Sequence, residues 1–430
     1  MQADGRVGMS AGPLAGGSVA LAAVLSTALA AALSTVLGAG TQVQGLRRLS
    51  GGASQETWAF DAVVVADPAA DRSADWRQLI LRRAPAGGSV ALAAGLSTAL
   101  AAALAPVLGP ATQVQGLRRL SGGASQETWA FDAVVVADPA ADRSADWRQL
   151  ILRRAPAGAA IRANGNPGLA AEAQLIRGAA AAGVPVPEVV LVLQPGHGLG
   201  TGFVMQRLPG ETLGRRIANA ERNSLARQCG EALARIHALP LAGLPPLRVT
   251  QPRAEVAHLR QWHARHGAAR PVFQLALRWL DQHAPADGVA RLVHGDFRNG
   301  NLMVDLVAPG GALVGVLDWE LAHLGDPMAD LGWICVPSWR FGQMQRPVGG
   351  FGTLDALLAG YASAGGQADR ARIHWWQVLG TLRWGVMCES MGQAWRSGAE
   401  PVMEKAAISR RASEVEIDLL VLLVPRPEAA

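Results

Sequence analysis

Lysine is almost absent from this sequence of 430 residues, since Lys405 is the only one among 39 basic residues. The other basic residues are arginines, and they outnumber the 34 acidic residues enough to give a net charge of +5. They are spread along the chain without a basic block, so we expect no nucleic-acid partner. An anionic ligand such as a nucleotide needs only a few of them.

Cysteine is also scarce. The three cysteines (Cys229, Cys335 and Cys388) are far apart and odd in number, which excludes a disulfide framework and a CxxC metal site. The nine histidines include no pair that a nearby Cys or carboxylate completes into a metal site. We therefore expect buried thiols in a reducing compartment and predict a cytoplasmic protein.

Long apolar runs are lacking too, apart from two stretches of nineteen uncharged residues, Val19–Leu37 and Val90–Leu108. Either could be a signal peptide or a membrane span. Both are mostly alanine with serine and threonine, so we favour an amphipathic helix that packs on a domain, and we expect no membrane partner. The apolar positions of the second stretch are Val90, Leu96, Leu100, Leu104, Val107 and Leu108.

A tandem repeat explains why this stretch occurs twice. Residues 16–86 (copy one) recur as residues 87–157 (copy two) with an offset of 71 and five mismatches. Two copies are too few for a solenoid, so a recent duplication or an error in the sequence explains them better. Copy two continues directly into the rest of the chain, whereas copy one would have to loop out copy two at a cost of roughly 4 kcal/mol. We therefore predict that copy two forms the domain and that copy one is a loosely ordered appendage with unpaired strands.

The most informative stretch is Arg291–Leu324. A His-Gly-Asp segment ends at Asp296, Asn301 follows five residues later, and Asp318 closes a short apolar run. Phosphoryl transfer needs one carboxylate to accept or orient the hydroxyl proton, and an amide with a second carboxylate to hold Mg²⁺ against the nucleotide phosphates. The Asp-x-x-x-x-Asn spacing matches the kinase catalytic loop. The stretch therefore predicts Asp296 as the base, with Asn301 and Asp318 as the metal ligands.

HGDFRNGN, LDWE and GDPMADLGW together resemble the aminoglycoside phosphotransferase superfamily, whose kinases have a protein-kinase-like fold. Within it the chain is most similar to the branch whose kinase domain is also found fused to acyl-CoA dehydrogenases. The resemblance covers roughly residues 112–424. It implies ATP and Mg²⁺ as cofactors and a nucleotide plus a small hydroxylated acceptor as partners. It also implies catalytic-loop roles for His294, as the organiser of Asp296, and for Arg298.

The resemblance implies an α/β (more strictly α+β) fold with two lobes. A small lobe with an antiparallel sheet and one key helix would occupy residues 87–208. A large helical lobe with the catalytic loop and acceptor pocket would occupy residues 209–425, and residues 1–86 would be an extension. In the motif GDPMADLGW, Asp330 is either a helix N-cap or a buried anchor for the catalytic loop.

A glycine-rich turn between two predicted strands is the first candidate on the nucleotide side. Its residues are Ser121, Gly122, Gly123, Ala124 and Ser125, where glycines let the backbone approach phosphate oxygens and turn N–H groups form an anion nest. A plain hairpin turn is the alternative for such a sequence. The resemblance assigns Ser121, Gly122, Gly123 and Ser125 to a loop that covers the phosphates.

An arginine stands where most kinases have the lysine that holds the α- and β-phosphates. The predicted strand Trp147–Arg154 ends in two arginines, and Arg153 is the matching position. Glu172, on a predicted helix, would be its ion-pair partner; a solvated strand end and a helix-surface glutamate are the alternatives. The resemblance also implies that backbone groups of Gln206 and Leu208 contact adenine.

Nothing in the sequence names the acceptor or the oligomeric state. Residues 240–288 carry Glu255, Asp281 and Asp287 among many arginines, which suits a polycationic aminoglycoside poorly. A hydroxyacyl thioester such as a hydroxyacyl-CoA, or another anionic or neutral metabolite, fits that balance better. A kinase fold impaired by the duplication, which binds nucleotide without turnover, is the non-enzymatic alternative.

Overall fold

The structure is a computed structural model that describes residues 16–37, 41–51, 56–64, 75–83, 88–122, 126–135, 146–155, 167–266, 269–400 and 402–424. The chain divides into two compact units between Leu92 and Ala93. Among the described residues, no helix combines the length and the apolar character needed to cross a membrane.

Copy one forms a helix and a small antiparallel sheet. The elements are α1 (Gly16–Leu37), β1 (Thr41–Gly51), β2 (Glu56–Val64) and β3 (Asp75–Arg83), and the strand order is β1-β2-β3. The expectation of unpaired strands in copy one is therefore wrong. Each strand pairs with its neighbour in sequence, so the pairing is local and needs no other part of the small lobe.

Copy two forms the same elements and extends them. They are α2 (Gly88–Leu108), β4 (Thr112–Gly122), β5 (Glu127–Val135) and β6 (Asp146–Ala155). Their pairing register repeats that of copy one, with Thr112 opposite Val135 where copy one has Thr41 opposite Val64. Two further strands, β7 (Val189–Val192) and β8 (Thr201–Gln206), complete a five-stranded antiparallel sheet of order β4-β5-β6-β8-β7.

Helix α2 packs on this sheet through the predicted apolar stripe. Leu96, Leu100 and Leu104 are buried and join a cluster that includes Phe131 of β5. In the last turn, Leu108 is partly buried against this cluster, whereas Val107 is 50% exposed, so the predicted stripe is wrong at Val107.

Helix α3 (Leu169–Ala181) follows copy two and carries Glu172. An apolar run begins at Val184, but strand β7 begins only at Val189, because prolines at 185 and 187 have no N–H for a sheet ladder. Strand β8 ends at Gln206.

The large lobe is mostly helical. Its first long helix, α5, buries Leu225, Cys229, Leu233 and Ile236 completely, as the helical spacing of these residues predicts. The helices are α4 (Gly214–Ile217), α5 (Asn223–His237), α6 (Pro252–His266), α7 (Pro271–Gln282), α8 (Met328–Ile334), α9 (Leu354–Ser363), α10 (Arg370–Arg396), α11 (Met403–Ser409) and α12 (Ala412–Leu423).

Two short antiparallel ladders position the catalytic loop. Strand β9 (Arg291–Val293) pairs with β12 (His323–Gly325), and β10 (Leu302–Asp305) pairs with β11 (Ala312–Val316). Residues 294–301 connect β9 to β10, and residues 317–322 connect β11 to β12. The ladders therefore bring both predicted catalytic segments to the same ends of the strands.

Candidate active site

Three donors surround the carboxylate of Asp296. Arg298 Nε and Trp333 Nε1 donate to Asp296 Oδ1 at 2.9 and 2.8 Å, and Asn301 Nδ2 donates to Oδ2 at 2.6 Å. Asp296 is only 9% exposed, and these three hydrogen bonds hold its carboxylate in one orientation. Trp333 was not among the predicted site residues. The only signal for it was its place at the end of the GDPMADLGW motif.

His294 organises the loop from behind. Its Nδ1 accepts the N–H of Asp296 at 3.2 Å, so Nε2 carries the ring proton and donates to the carbonyl of Leu317 at 3.1 Å. Burial lowers the pKa of His294, which keeps the ring neutral, as this tautomer requires. His294 therefore links the loop that carries Asp296 to the segment that carries Asp318.

Asn301 is bound to the same loop. Its Nδ2 also donates to the backbone oxygen of Asp296 at 3.0 Å. The backbone carbonyl of Asn301 accepts the N–H of Leu317 at 2.8 Å. Because Nδ2 is turned toward Asp296, Oδ1 is the side-chain atom of Asn301 that remains for a cation. Leu317 immediately precedes Asp318, so the amide and the second carboxylate lie at adjacent positions of the β10–β11 hairpin.

Arg153 joins the two lobes at Asp318. Its Nη1 donates a hydrogen bond to Asp318 Oδ1 at 2.9 Å. The same Nη1 lies 2.9 Å from Glu172 Oε1, and this second contact is an ion pair that lacks the geometry of a hydrogen bond. Asp318 itself has a φ of 64°, an unusual value that aspartate tolerates better than most residues. The structure thus brings together a strand of copy two, helix α3 and the metal-ligand candidate of the large lobe.

The electrostatics of this group are strongly coupled. Burial raises the pKa of Glu172 to about 7; Arg153 opposes this shift, and Asp318 and Glu320 reinforce it. Burial acts to lower the pKa of Arg153, but Glu172 and Asp318 outweigh it and the pKa is raised. Arg153 therefore stays charged, and its guanidinium only partly offsets the effect of burial on the pKa of Glu172.

Asp330 anchors the catalytic loop and is not an N-cap. It is completely buried, and its carboxylate accepts the N–H groups of His294 and Gly295 at 2.8 and 2.9 Å. His237 Nε2 lies 3.1 Å from Asp330 Oδ2. Burial would raise the pKa of Asp330, but the hydrogen bond and charge of His237 and the N–H of His294 lower it overall. Of the two alternatives from the sequence, the structure favours the buried anchor.

The remaining nucleotide-side candidates lie elsewhere on the small lobe. Ser121 and Gly122 end β4, opposite Thr128 and Glu127 of β5. Gly123 and Ser125 lie outside the described residues. Gln206 ends β8 opposite Leu150. The Leu208 side chain packs against Gly315 of β11 so closely that a Cβ added at Gly315 would lie 2.3 Å from Leu208 Cδ1.

Two comparisons with known proteins identify relatives. The model of the phosphotransferase enzyme family (APH) matches residues 116–376, which begin within copy two. Acyl-CoA dehydrogenase family member 10 of Mus musculus is 30% identical over 199 residues, which are 44% of this chain and 18% of that protein. The chain therefore spans less than a fifth of the length of this curated relative.

Solved structures share the fold at low sequence identity. A crystal structure of a putative aminoglycoside phosphotransferase from Ralstonia eutropha has a TM-score of 0.56 and 18% identity, covering 76% of this chain and 97% of that one. The GDP complex of wild-type aminoglycoside 2'-phosphotransferase-IIIa has a TM-score of 0.52 and 14% identity, covering 75% and 99%. These likenesses confirm the predicted fold, with its antiparallel sheet and helical lobe.

Proposed function

The chain belongs to the phosphotransferase enzyme family and is a kinase that acts on a hydroxyl acceptor, and we propose from this premise that it transfers the γ-phosphoryl group of Mg·ATP to a small molecule. The observation that carries the proposal is the hydrogen-bonded group of Asp296, Asn301, Asp318 and Arg153. Nucleotide phosphates need cations on one side, and the acceptor hydroxyl needs a carboxylate on the other.

Asp296 would orient the acceptor hydroxyl and take its proton. Arg298, Trp333 and Asn301 occupy three positions around the carboxylate, and a carboxylate offers about four lone-pair sites. One site therefore remains for the hydroxyl. Because its three donors hold it in place, the carboxylate does not have to reorient when the acceptor binds.

The oxygens of Asn301 and Asp318 fit Mg²⁺. This ion is usually held by one or two protein carboxylates together with substrate phosphates and water, not by an all-protein cage. No group of three or more His, Cys, Asp or Glu side chains suited to a metal occurs within the described part of the chain. When bound, the ion would neutralise charge on the β- and γ-phosphates.

Arg153 would hold the α- and β-phosphates, and Glu172 would orient it. The arginine keeps the charge of the usual kinase lysine and adds a planar fork that can bind two phosphate oxygens. The turn that contains Ser121, Gly122, Gly123 and Ser125 would cover the phosphates, and backbone groups of Gln206 and Leu208 would contact adenine. These nucleotide assignments rest on the family's pattern and on the position of Arg153 beside Asp318.

An anionic or neutral acceptor, for example a hydroxyacyl-CoA, suits the large lobe better than a polycationic aminoglycoside. Two of the acidic residues considered for a cationic drug already have arginine partners. Glu255 pairs with Arg248 and Arg383, and Asp281 pairs with Arg260. Free carboxylates for a polycation are therefore fewer than the sequence suggests.

Phosphorylation assays test the proposal. The full chain is incubated with Mg·ATP or Mg·GTP and with hydroxyacyl-CoAs or aminoglycosides, and phosphorylated product is detected by mass spectrometry. We expect product from a hydroxyacyl-CoA and a loss of about 10²–10⁴-fold in Asp296→Asn, since a general base contributes that much. Undiminished turnover in Asp296→Asn would refute the assigned base, and turnover of aminoglycosides alone would refute the acceptor.

A further inference from the structure

The edge of β3 in copy one repeats the edge that the small lobe uses. All five mismatches between the copies lie before β1 and β4, so the strands of both copies have identical sequences. In copy two, β6 pairs with β8 from Leu150 opposite Gln206 to Ala155 opposite Thr201. Strand β3 presents the same residues from Leu79 onward, and β2 is its only neighbour among the described strands.

Copy one also leaves partly exposed some apolar side chains whose counterparts in copy two are buried. Leu100 and Leu104 of α2 are completely buried, whereas their counterparts Leu29 and Leu33 of α1 are only partly buried. The cluster that covers Leu100 and Leu104 includes residues from outside the repeat, namely Leu193, Leu199 and Val204. What copy one lacks is therefore the β7–β8 part of a small lobe.

Each chain therefore has two strands of identical sequence that fit this edge of β8, and β6 occupies the edge in the structure. We propose that copy one docks on β8 of a second copy of this chain, so that the small lobe of one molecule is completed by copy one of another. Arg82, the counterpart of Arg153, would then lie opposite Phe203 of the second molecule's β8, as Arg153 does in its own chain. This is a strand exchange between identical chains, with the native β6–β8 register.

At high protein concentration, the second molecule is favoured over the same chain as the source of copy one. In the same chain, copy one could reach β8 only if all 71 residues of copy two were looped out ahead of α3. A second chain avoids this loop but loses translational and rotational freedom on association, a cost that falls as the protein concentration rises, so we expect the exchange to increase with concentration. The exchange also loses no contacts, because the strands are identical, and copy one has Val24 and Thr35 where copy two has the poorer helix formers Gly95 and Pro106.

Cross-linking tests the exchange directly. One full-length chain carries Ile80→Cys, another carries Met205→Cys, and the two are mixed and treated with a short bismaleimide. Ile151, the counterpart of Ile80, lies opposite Met205, so the proposal expects a covalent dimer linked between positions 80 and 205. The three native cysteines are buried and should contribute little background.

Two controls fix the interpretation. A chain with both Ile151→Cys and Met205→Cys should link within itself, which proves that the reagent reaches this register. Gln44→Cys, on the opposite edge strand β1, replaces Ile80→Cys as the negative control. The proposal is overturned if the 80–205 link does not exceed the Gln44→Cys level while the 151–205 link forms. It is equally overturned if Ile80→Cys chains link only to each other, or if a chain with Ile80→Cys and Met205→Cys links only within itself.

Discussion

Copy one and copy two have the same three strands, but only copy two's sheet continues into β8 and β7. Both copies pair in the same register, residue for residue. Their leucines nevertheless differ in burial, with Leu100 fully buried and Leu29 only partly so. The comparison teaches that hairpin sequence decides strand pairing, whereas distant residues decide whether the sheet acquires a core.

The same comparison separates structure from function. The repeated sequence supplies an arginine at the end of its third strand in both copies, Arg82 and Arg153. In copy two, Arg153 lies 2.9 Å from Asp318 of the large lobe. The phosphate-binding role that we propose for Arg153 therefore depends on the catalytic loop opposite it as well as on its own strand.

The largest effect is expected at Arg153. Arg153→Ala removes the cation that contacts Glu172 and Asp318, and we expect kcat/KM for phosphoryl transfer to fall about 10²–10³-fold, as when one preorganised donor is lost. Steady-state kinetics measure the loss. Arg148→Ala is the matched control, because Arg148 lies on the same strand with its side chain 46% exposed. Equal activity in the two variants would contradict a role for Arg153 in phosphoryl transfer.

The next effect concerns the two apolar cores. Leu100→Ala should cost about 2–5 kcal/mol of unfolding free energy because it leaves a cavity in a buried cluster. Leu29→Ala should cost about 1 kcal/mol, since the same side chain is only partly buried in copy one. Chemical denaturation of both full-length variants gives the difference. Equal losses would contradict the view that β7 and β8 create the core.

A smaller effect should follow from the protonation of Glu172. Burial raises the pKa of this carboxyl to about 7, although Arg153 opposes the shift. The folded state therefore binds the proton more tightly than the unfolded chain. This contribution is complete below the ordinary pKa of 4.5 and is lost as pH rises through about 7. Unfolding midpoints between these pH values should fall for the wild type, and less so for Glu172→Gln. Identical slopes would contradict the burial argument.

The smallest effects should come from exchanging the mismatched helix residues. Pro106→Thr and Gly95→Val give α2 the residues of α1, and a Cβ at Gly95 would meet nothing within 4 Å. We expect a gain of about 1 kcal/mol or less in each case, because valine is a better helix former than glycine and because Pro106 lies in the last turn of α2, where a proline costs less than the roughly 3 kcal/mol of a helix interior. Urea unfolding measures it, with the reverse change Thr35→Pro as the partner variant. A loss of stability in Pro106→Thr would show that the proline fits a special contact in copy two.

Much of the catalytic loop could be predicted from sequence because its residues are close along the chain. The spacing of Asp296 and Asn301 within one loop, and the hairpin that leads to Asp318, are local features. The structure brings these three residues together through the β10–β11 ladder and the neighbouring carbonyl of Asn301.

Contacts between distant segments could not be predicted in the same way. Trp333 donates to Asp296 from 37 residues away, and Arg153 reaches Asp318 across 165 residues. No periodicity or spacing encodes such contacts; they depend on how the lobes and α8 pack. The start of β7 at Val189 has a local cause, because prolines ahead of it interrupt an otherwise strand-like apolar run.

The most direct test of the central claim is a calorimetric titration of ATP into the full chain, with and without Mg²⁺, and into Asp318→Asn. Asparagine also tolerates the positive φ of this position, so the variant removes charge without adding strain. The account predicts Mg²⁺-dependent binding that weakens at least about tenfold, or 1.4 kcal/mol, in the variant. Equally tight binding without Mg²⁺ or in Asp318→Asn would contradict a nucleotide site built on Asp318.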